Sequence, residues 1–157
     1  MKRLLIILPL LLGSMEAMGA DELSITENII IEETITTECI RSQLGLLSNV
    51  YKNYNQALLI AKESKKNLFI LFEKEYCPWC IKLKNITLQD AKLIELLNSD
   101  FVVIILNKDR DDFPKQYDPT RVPVVYMANY NEKIFVKKLG YEKNPSEYIR
   151  LSKYITP

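Results

Sequence analysis

Two cysteines, Cys77 and Cys80, are separated by Pro78 and Trp79. Such a pair can cycle between dithiol and disulfide, hold a soft metal, anchor a haem, or staple a turn. The neighbouring residues discriminate among these. An apolar run, 68–72, ends just before the pair, and a helical pattern follows it. That order puts Cys77 at a helix N-terminus. Pro78 then falls in the first turn, where its missing N–H costs nothing. The unpaired N–H groups and the helix dipole favour a thiolate at Cys77. Cys80, three residues on, faces the same side and can attack a mixed disulfide at Cys77 to release a partner. Haem attachment would need His at position 81, which is Ile81. The chain has no histidine, which also removes Ser-His-Asp and Cys-His nucleophile systems and every His-based metal site. Three cysteines are too few for a monomeric four-Cys zinc site. The expectation is a reversible redox switch; the bland alternative is an inert disulfide at a helix start.

The 157 residues fit one domain, or one domain with an extension. At 48% apolar and 26% charged, with only four Gly, the composition is globular rather than disordered. A net charge of +1 gives no basic field for nucleic acid. Residues 1–19 have the three-part pattern of a cleaved export signal: Lys2 and Arg3, an apolar run over 4–12, then small residues at Ala17 and Gly19. Cleavage is expected before Ala20, with Asp21 the next choice. This nine-residue run, broken only by Pro9, falls far short of the roughly 20 residues that span a bilayer. No Cys follows the run closely, which argues against a lipid anchor. Cleavage removes Lys2, Arg3 and Glu16, so 19 basic and 19 acidic residues remain and the charge gives no hint of a partner. Export predicts a periplasmic location, where thiols form disulfides unless something keeps them reduced.

The elements that must position the pair follow from periodicity. The β-branched stretch 23–37 suggests strand, with irregular alternation, and 41–49 a short helix. Ala57, Leu58 and Ala61 mark an amphipathic helix from about 54 to 65. The continuous apolar runs 68–72 and 101–106 predict strands covered on both faces. Between them, Ile81, Leu83, Ile86, Ala91, Ile94 and Leu97 predict a long kinked helix or two helices. Residues 107–120 form a loop, with a short helix near 115–117. A third strand, 122–127, is entered through Pro123, and a turn at 129–132 leads to an antiparallel fourth strand, 134–139, stopped by Gly140. Asn144 and Pro145 open a last helix. The order predicts an α/β domain with a central mixed sheet flanked by helices.

These residues carry a resemblance. Residues 51–155 resemble the thioredoxin-like family, and look most like its exported members and the C-terminal domain of the transmembrane disulfide reductase of the Dsb system. The matching words are Ala57-Leu58 with Ala61-Lys62, the lead-in from Lys65 to Phe72, Tyr76-Cys77-Pro78-Trp79-Cys80, Ile94-Glu95-Leu96-Leu97-Asn98 with Phe101, Val122-Pro123, and Gly140-Tyr141. The resemblance implies a thioredoxin-like fold over 51–157, preceded by an N-terminal extension, 20–50. It implies an exposed nucleophile, Cys77, a buried resolving thiol, Cys80, and a redox-active Cys77–Cys80 disulfide. It also implies a cis Pro123, although only about one X-Pro bond in twenty is cis, and a Val122 backbone that binds extended substrate. Trp79 would sit partly exposed beside the pair and either offer apolar contact to a client or simply cover the helix end.

Departures from the family matter. The position of thioredoxin's buried acid is Leu71, so that proton acceptor is missing. Glu73 and Glu75 are the nearby candidates for proton transfer, or are ordinary polar residues at a strand end. Arg121 stands where the family often has a small residue and would favour a thiolate or acidic partners; the plain alternative is a solvated loop side chain. Cys39 has no partner at motif spacing and is expected to be buried or unpaired. The predicted activity is thiol–disulfide exchange on exported proteins, with reduction favoured over oxidation or isomerisation. It requires no metal or organic cofactor, and a membrane protein would be the electron donor or acceptor. The alternatives from other classes are a Cu(I)-delivering metallochaperone and a redox-inactive interaction domain.

Overall fold

The computed structural model describes residues 46–48 and 50–155. The expected signal, most of the 20–50 extension, the strand suggested at 23–37 and Cys39 lie outside the described residues. So does most of the helix expected at 41–49, of which residues 46–48 are not helical.

The elements are β1 (Val50–Tyr51), α1 (Tyr54–Ser64), β2 (Asn67–Glu73), α2 (Pro78–Asn85), a 3₁₀ turn (Thr87–Gln89), α3 (Ala91–Asp100), β3 (Phe101–Asn107), β4 (Val124–Ala128), β5 (Ile134–Leu139) and α4 (Pro145–Ser152). The sheet order is β1-β3-β2-β4-β5. β3 runs parallel to β1 and β2, whereas β4 is antiparallel to β2 and β5. This is the mixed sheet expected, with a two-residue edge strand, β1, too short to leave a periodic signal.

β2 lies at the centre and is buried at every position from Leu68 to Phe72. Its alternate side chains feed two cores. Phe69 and Leu71 join Leu83 of α2, Leu93 and Leu97 of α3, and Tyr148 of α4. Leu68, Ile70 and Phe72 join Tyr54, Ala57 and Ala61 of α1, together with Tyr117. Period-2 alternation thus turns one apolar run into two packed faces.

The helices begin at side-chain caps. Asn53 accepts from Gln56 N at 3.0 Å, Asp90 from Leu93 N at 3.0 Å, and Asn144 from Ser146 N at 3.1 Å. The expected long helix is broken into α2, the 3₁₀ turn and α3, because Asp90 leaves helical geometry and caps α3. No helix forms near 115–117. A turn there closes through Tyr117 N to Pro114 O at 3.1 Å, and Tyr117 points into the core. β4 begins at Val124 rather than 122; Pro123, which has no N–H to give a ladder, is left in the bend before it.

The β3–β4 loop is pinned by aromatic groups. Tyr54 Oη donates to Glu132 Oε1 at 2.9 Å and lies 3.1 Å from Tyr117 Oη. Tyr126 Oη donates to Asp118 O at 2.9 Å and accepts from Asp118 N at 3.1 Å. Burial raises the Tyr54 and Tyr117 pKa values, so the folded state holds both phenols neutral. A phenol with a raised folded pKa contributes stability that is full below the ordinary tyrosine pKa, about 10, and is lost as pH climbs above it. Tyr54→Phe should therefore flatten the loss of stability above pH about 10, measured by urea unfolding at stepped pH. Parallel pH curves for the variant and the parent would contradict this.

Candidate active site

β2 delivers the chain to the site. After Glu73 a turn carries the backbone to Tyr76, which adopts a left-handed conformation, φ 52°, and leaves its ring 95% exposed. Cys77 follows in extended geometry and is the N-cap of α2, with Pro78 in the first turn. Cys77 Sγ accepts from Cys80 N at 3.2 Å, and Ile81 N closes the first turn on Cys77 O at 3.1 Å. Cys77 and Cys80 form a disulfide with Cα atoms 5.2 Å apart.

Exposure differs from the expectation for the nucleophile. Cys77 is 5% exposed and Cys80 1%. Cys77 is the more accessible of the two, but it is not an open thiol: its sulfur is turned toward the helix N-terminus and bonded to Cys80.

The register Phe72↔Val124 places Val122 and Pro123 at the sheet end from which β2 leaves for Cys77. The Val122–Pro123 bond is cis. Gly140 N donates to Pro123 O at 2.8 Å, and no loop hydrogen bond among the described residues uses the Val122 backbone. Gly140 has φ +82°, and nothing lies within 4 Å of where a Cβ would be. Backbone conformation, not space, therefore calls for glycine there. The next residue, Tyr141, stacks on Trp79, with centroids 5.7 Å apart and planes 28° from parallel. Lys82 Nζ lies 4.6 Å from the centre of the same indole.

Beside the pair, a cleft of about 220 Å³ is lined by Cys77, Cys80, Glu73, Glu75, Lys84 and Arg110, among others. Glu73 Oε2 meets Lys84 Nζ at 2.7 Å, and its other oxygen lies 3.7 Å from Lys52 Nζ. Glu75 Oε1 accepts from Arg110 Nη1 at 2.7 Å. The site thus gathers Cys77, Cys80, Glu73 and Glu75 around one cleft. Trp79, Val122 and Pro123 belong to a second group, tied to the first through α2 and the end of the sheet. Leu71, at the position of the missing acid, is fully buried.

Neither Lys84 nor Arg110 is a candidate from the sequence, and Tyr141 enters there only within the Gly140-Tyr141 match, with no site role. Lys84 had a signal: it stands four residues after Cys80 on α2 and so shares its helix face. Arg110 sits in an irregular loop and Tyr141 touches Trp79 across the fold, so neither had one. Among the described residues, no group of three or more His, Cys, Asp or Glu side chains is placed to hold a metal ion. The arrangement provides a dithiol/disulfide couple at a helix N-terminus, with carboxylates and cations within the same cleft.

Comparison with known proteins agrees with this geometry. Residues 49–129 match the thioredoxin-like family, and the chain belongs to it. No curated protein sequence matches the chain. Among solved structures, a putative disulphide-isomerase from Bacteroides thetaiotaomicron is 19% identical with a TM-score of 0.56, covering 66% of this chain and 89% of its own. A thioredoxin from Thermus thermophilus is 22% identical with a TM-score of 0.54, covering 68% and 86%. The oxidised DsbD C-terminal domain from Neisseria meningitidis is 17% identical with a TM-score of 0.51, covering 64% and 90%. At these identities the likeness is one of fold.

The cap on α2 makes a prediction independent of redox chemistry. In a Cys80→Ser background, which cannot form the disulfide, Cys77→Ser keeps an acceptor at the N-cap and Cys77→Ala removes it. The Ala variant should be less stable than the Ser variant by about 1 kcal/mol, read by urea unfolding. Equal stabilities would show that the cap contributes nothing.

Proposed function

We propose that this protein is an exported thiol–disulfide oxidoreductase that reduces disulfide bonds in other exported proteins. The observation that carries the reading is the Cys77–Cys80 couple with Cys77 as the N-cap of α2, where helix N–H groups favour its thiolate.

The exchange runs in two balanced steps. In the reduced protein, the Cys77 thiolate attacks one sulfur of a client disulfide. That S–S bond breaks, the client's other sulfur leaves as a thiolate and takes a proton from solvent, and a Cys77–client mixed disulfide remains. Cys80 then gives up its proton and attacks Cys77 Sγ. The second client thiolate leaves and is protonated. The client has gained two electrons and two protons, and the Cys77–Cys80 pair is oxidised. Glu73 and Glu75, on the cleft that Cys80 also lines, are our candidates to receive the Cys80 proton. The Val122 backbone and cis Pro123 would hold the client strand, with Trp79 alongside.

A dithiol donor must re-reduce the pair after each turnover; a membrane protein is the partner we propose, since an oxidising compartment supplies no soluble reductant pool. The reductive direction rests on the resemblance to the exported reductase domain. The periplasmic location rests on the pattern of residues 1–19.

The test uses the full-length chain expressed in a bacterium and recovered from the periplasmic fraction. N-terminal sequencing should start at Ala20. The recovered protein should catalyse insulin reduction by dithiothreitol. Cys77→Ser should abolish this, and Cys80→Ser should accumulate a mixed disulfide with insulin. Undiminished catalysis by Cys77→Ser would overturn the mechanism, and retention of the leader in the cytoplasm would overturn the location.

A further inference from the structure

Charge is distributed unevenly around the cysteine pair. The two acids that line the cleft are already matched: Glu73 by Lys84 and Lys52, Glu75 by Arg110. Three further cations are not. Lys74, Lys82 and Arg121 are exposed, and none has a carboxylate partner among the described residues. Lys74 stands three residues before Cys77 and lines the same cleft. Lys82 is held over the Trp79 indole, which Tyr141 braces by stacking, so its ammonium has a defined place beside the α2 start. Arg121 directly precedes Val122 and Pro123. Asp118, on the same loop, is within electrostatic reach of Lys137. The whole chain is nearly neutral, with 21 basic and 20 acidic residues, so this local excess does not reflect bulk charge.

From this arrangement we infer that the site selects polypeptide segments whose reacting cysteine is flanked by carboxylates. The inference rests on the exchange reading above and names its substrate class. Lys74, Lys82 and Arg121 flank the exit of β2, the start of α2 and the Val122–Pro123 bend, the three segments that would border a client strand. Acidic side chains on either side of the client sulfur would complete these unmatched cations. They would also be drawn in by the field of the face, which raises association rates.

Short peptides with one cysteine, each joined by a disulfide to the same chromophoric aromatic thiol, test this directly. Three sets carry Glu, Gln or Lys on both sides of the cysteine. The second-order rate with the reduced protein is divided by the rate of the same peptide with free dithiothreitol, which removes intrinsic differences in sulfur reactivity. At low salt the Glu peptide should react about ten-fold faster than the Lys peptide. The gap should close near 1 M salt, where the screening length is about 3 Å. In a Lys82→Glu, Arg121→Glu double variant the order of Glu and Lys peptides should reverse. Equal normalised rates, or a preference that ignores salt, would overturn the inference. Hydroxyethyl disulfide separates the two readings. If the unmodified protein reduces this uncharged disulfide while showing no peptide preference, exchange stands and selectivity falls; if it reduces neither, the exchange reading falls.

Discussion

The site depends on the burial of β2 on both faces. Residues 68–72 are sealed between two cores, and Asn67 and Glu73 mark the edges of that burial. A slip of one residue would drag Asn67 or Glu73 into the apolar interior and exchange every side chain between the cores, so the register is tightly set. Because β2 pairs with β3 on one side and β4 on the other, it fixes three exits at one end of the sheet: the turn into α2, the Asn107 loop and the Val122–Pro123 bend. Cys77 thus occupies a helix start whose position is dictated by a strand buried on both faces.

Around that fixed point, the segments that would meet a client are tied by polar and aromatic contacts rather than by regular structure. The Tyr54–Tyr117 contact holds the β3–β4 loop against α1, Tyr54 also ties the β4–β5 turn through Glu132, and Tyr126 grips Asp118. Gly140 bonds to Pro123, while Tyr141 braces Trp79. The two residue pairs bring the β5–α4 connection into contact with both the cis-proline bend and the first turn of α2.

The architecture was largely legible in the sequence because its strongest signals are local. The apolar runs 68–72 and 101–106 and the Asn144-Pro145 helix opening announce strands and a helix through short-range physics. Cys77-Pro78-Trp79-Cys80 announced the redox pair for the same reason, since strand, cap and first-turn proline are contiguous. What was not legible depends on contacts between distant residues. The break at Asp90 depended on a cap that competes with an apolar periodicity running through it. Local sequence places Tyr117 in a short helical turn, but burial against Tyr54, 63 positions away, decides its place. The slight exposure of Cys77, the ion pair of Glu73 with Lys84 and the stacking of Tyr141 on Trp79 are likewise set by the tertiary fold.

The central claim is that Cys77 and Cys80 form a reversible couple poised to donate electrons. Its most direct test is the reduction potential of that pair, obtained by equilibrating the mature protein, with Cys39→Ser as a control, in dithiothreitol or glutathione buffers and counting alkylated thiols by mass. The account predicts a two-electron transition near about −270 mV, the range of a thioredoxin. A transition near about −120 mV would mark the pair as an oxidant and contradict the direction of electron flow, and the absence of any reversible transition would contradict exchange chemistry at this site altogether.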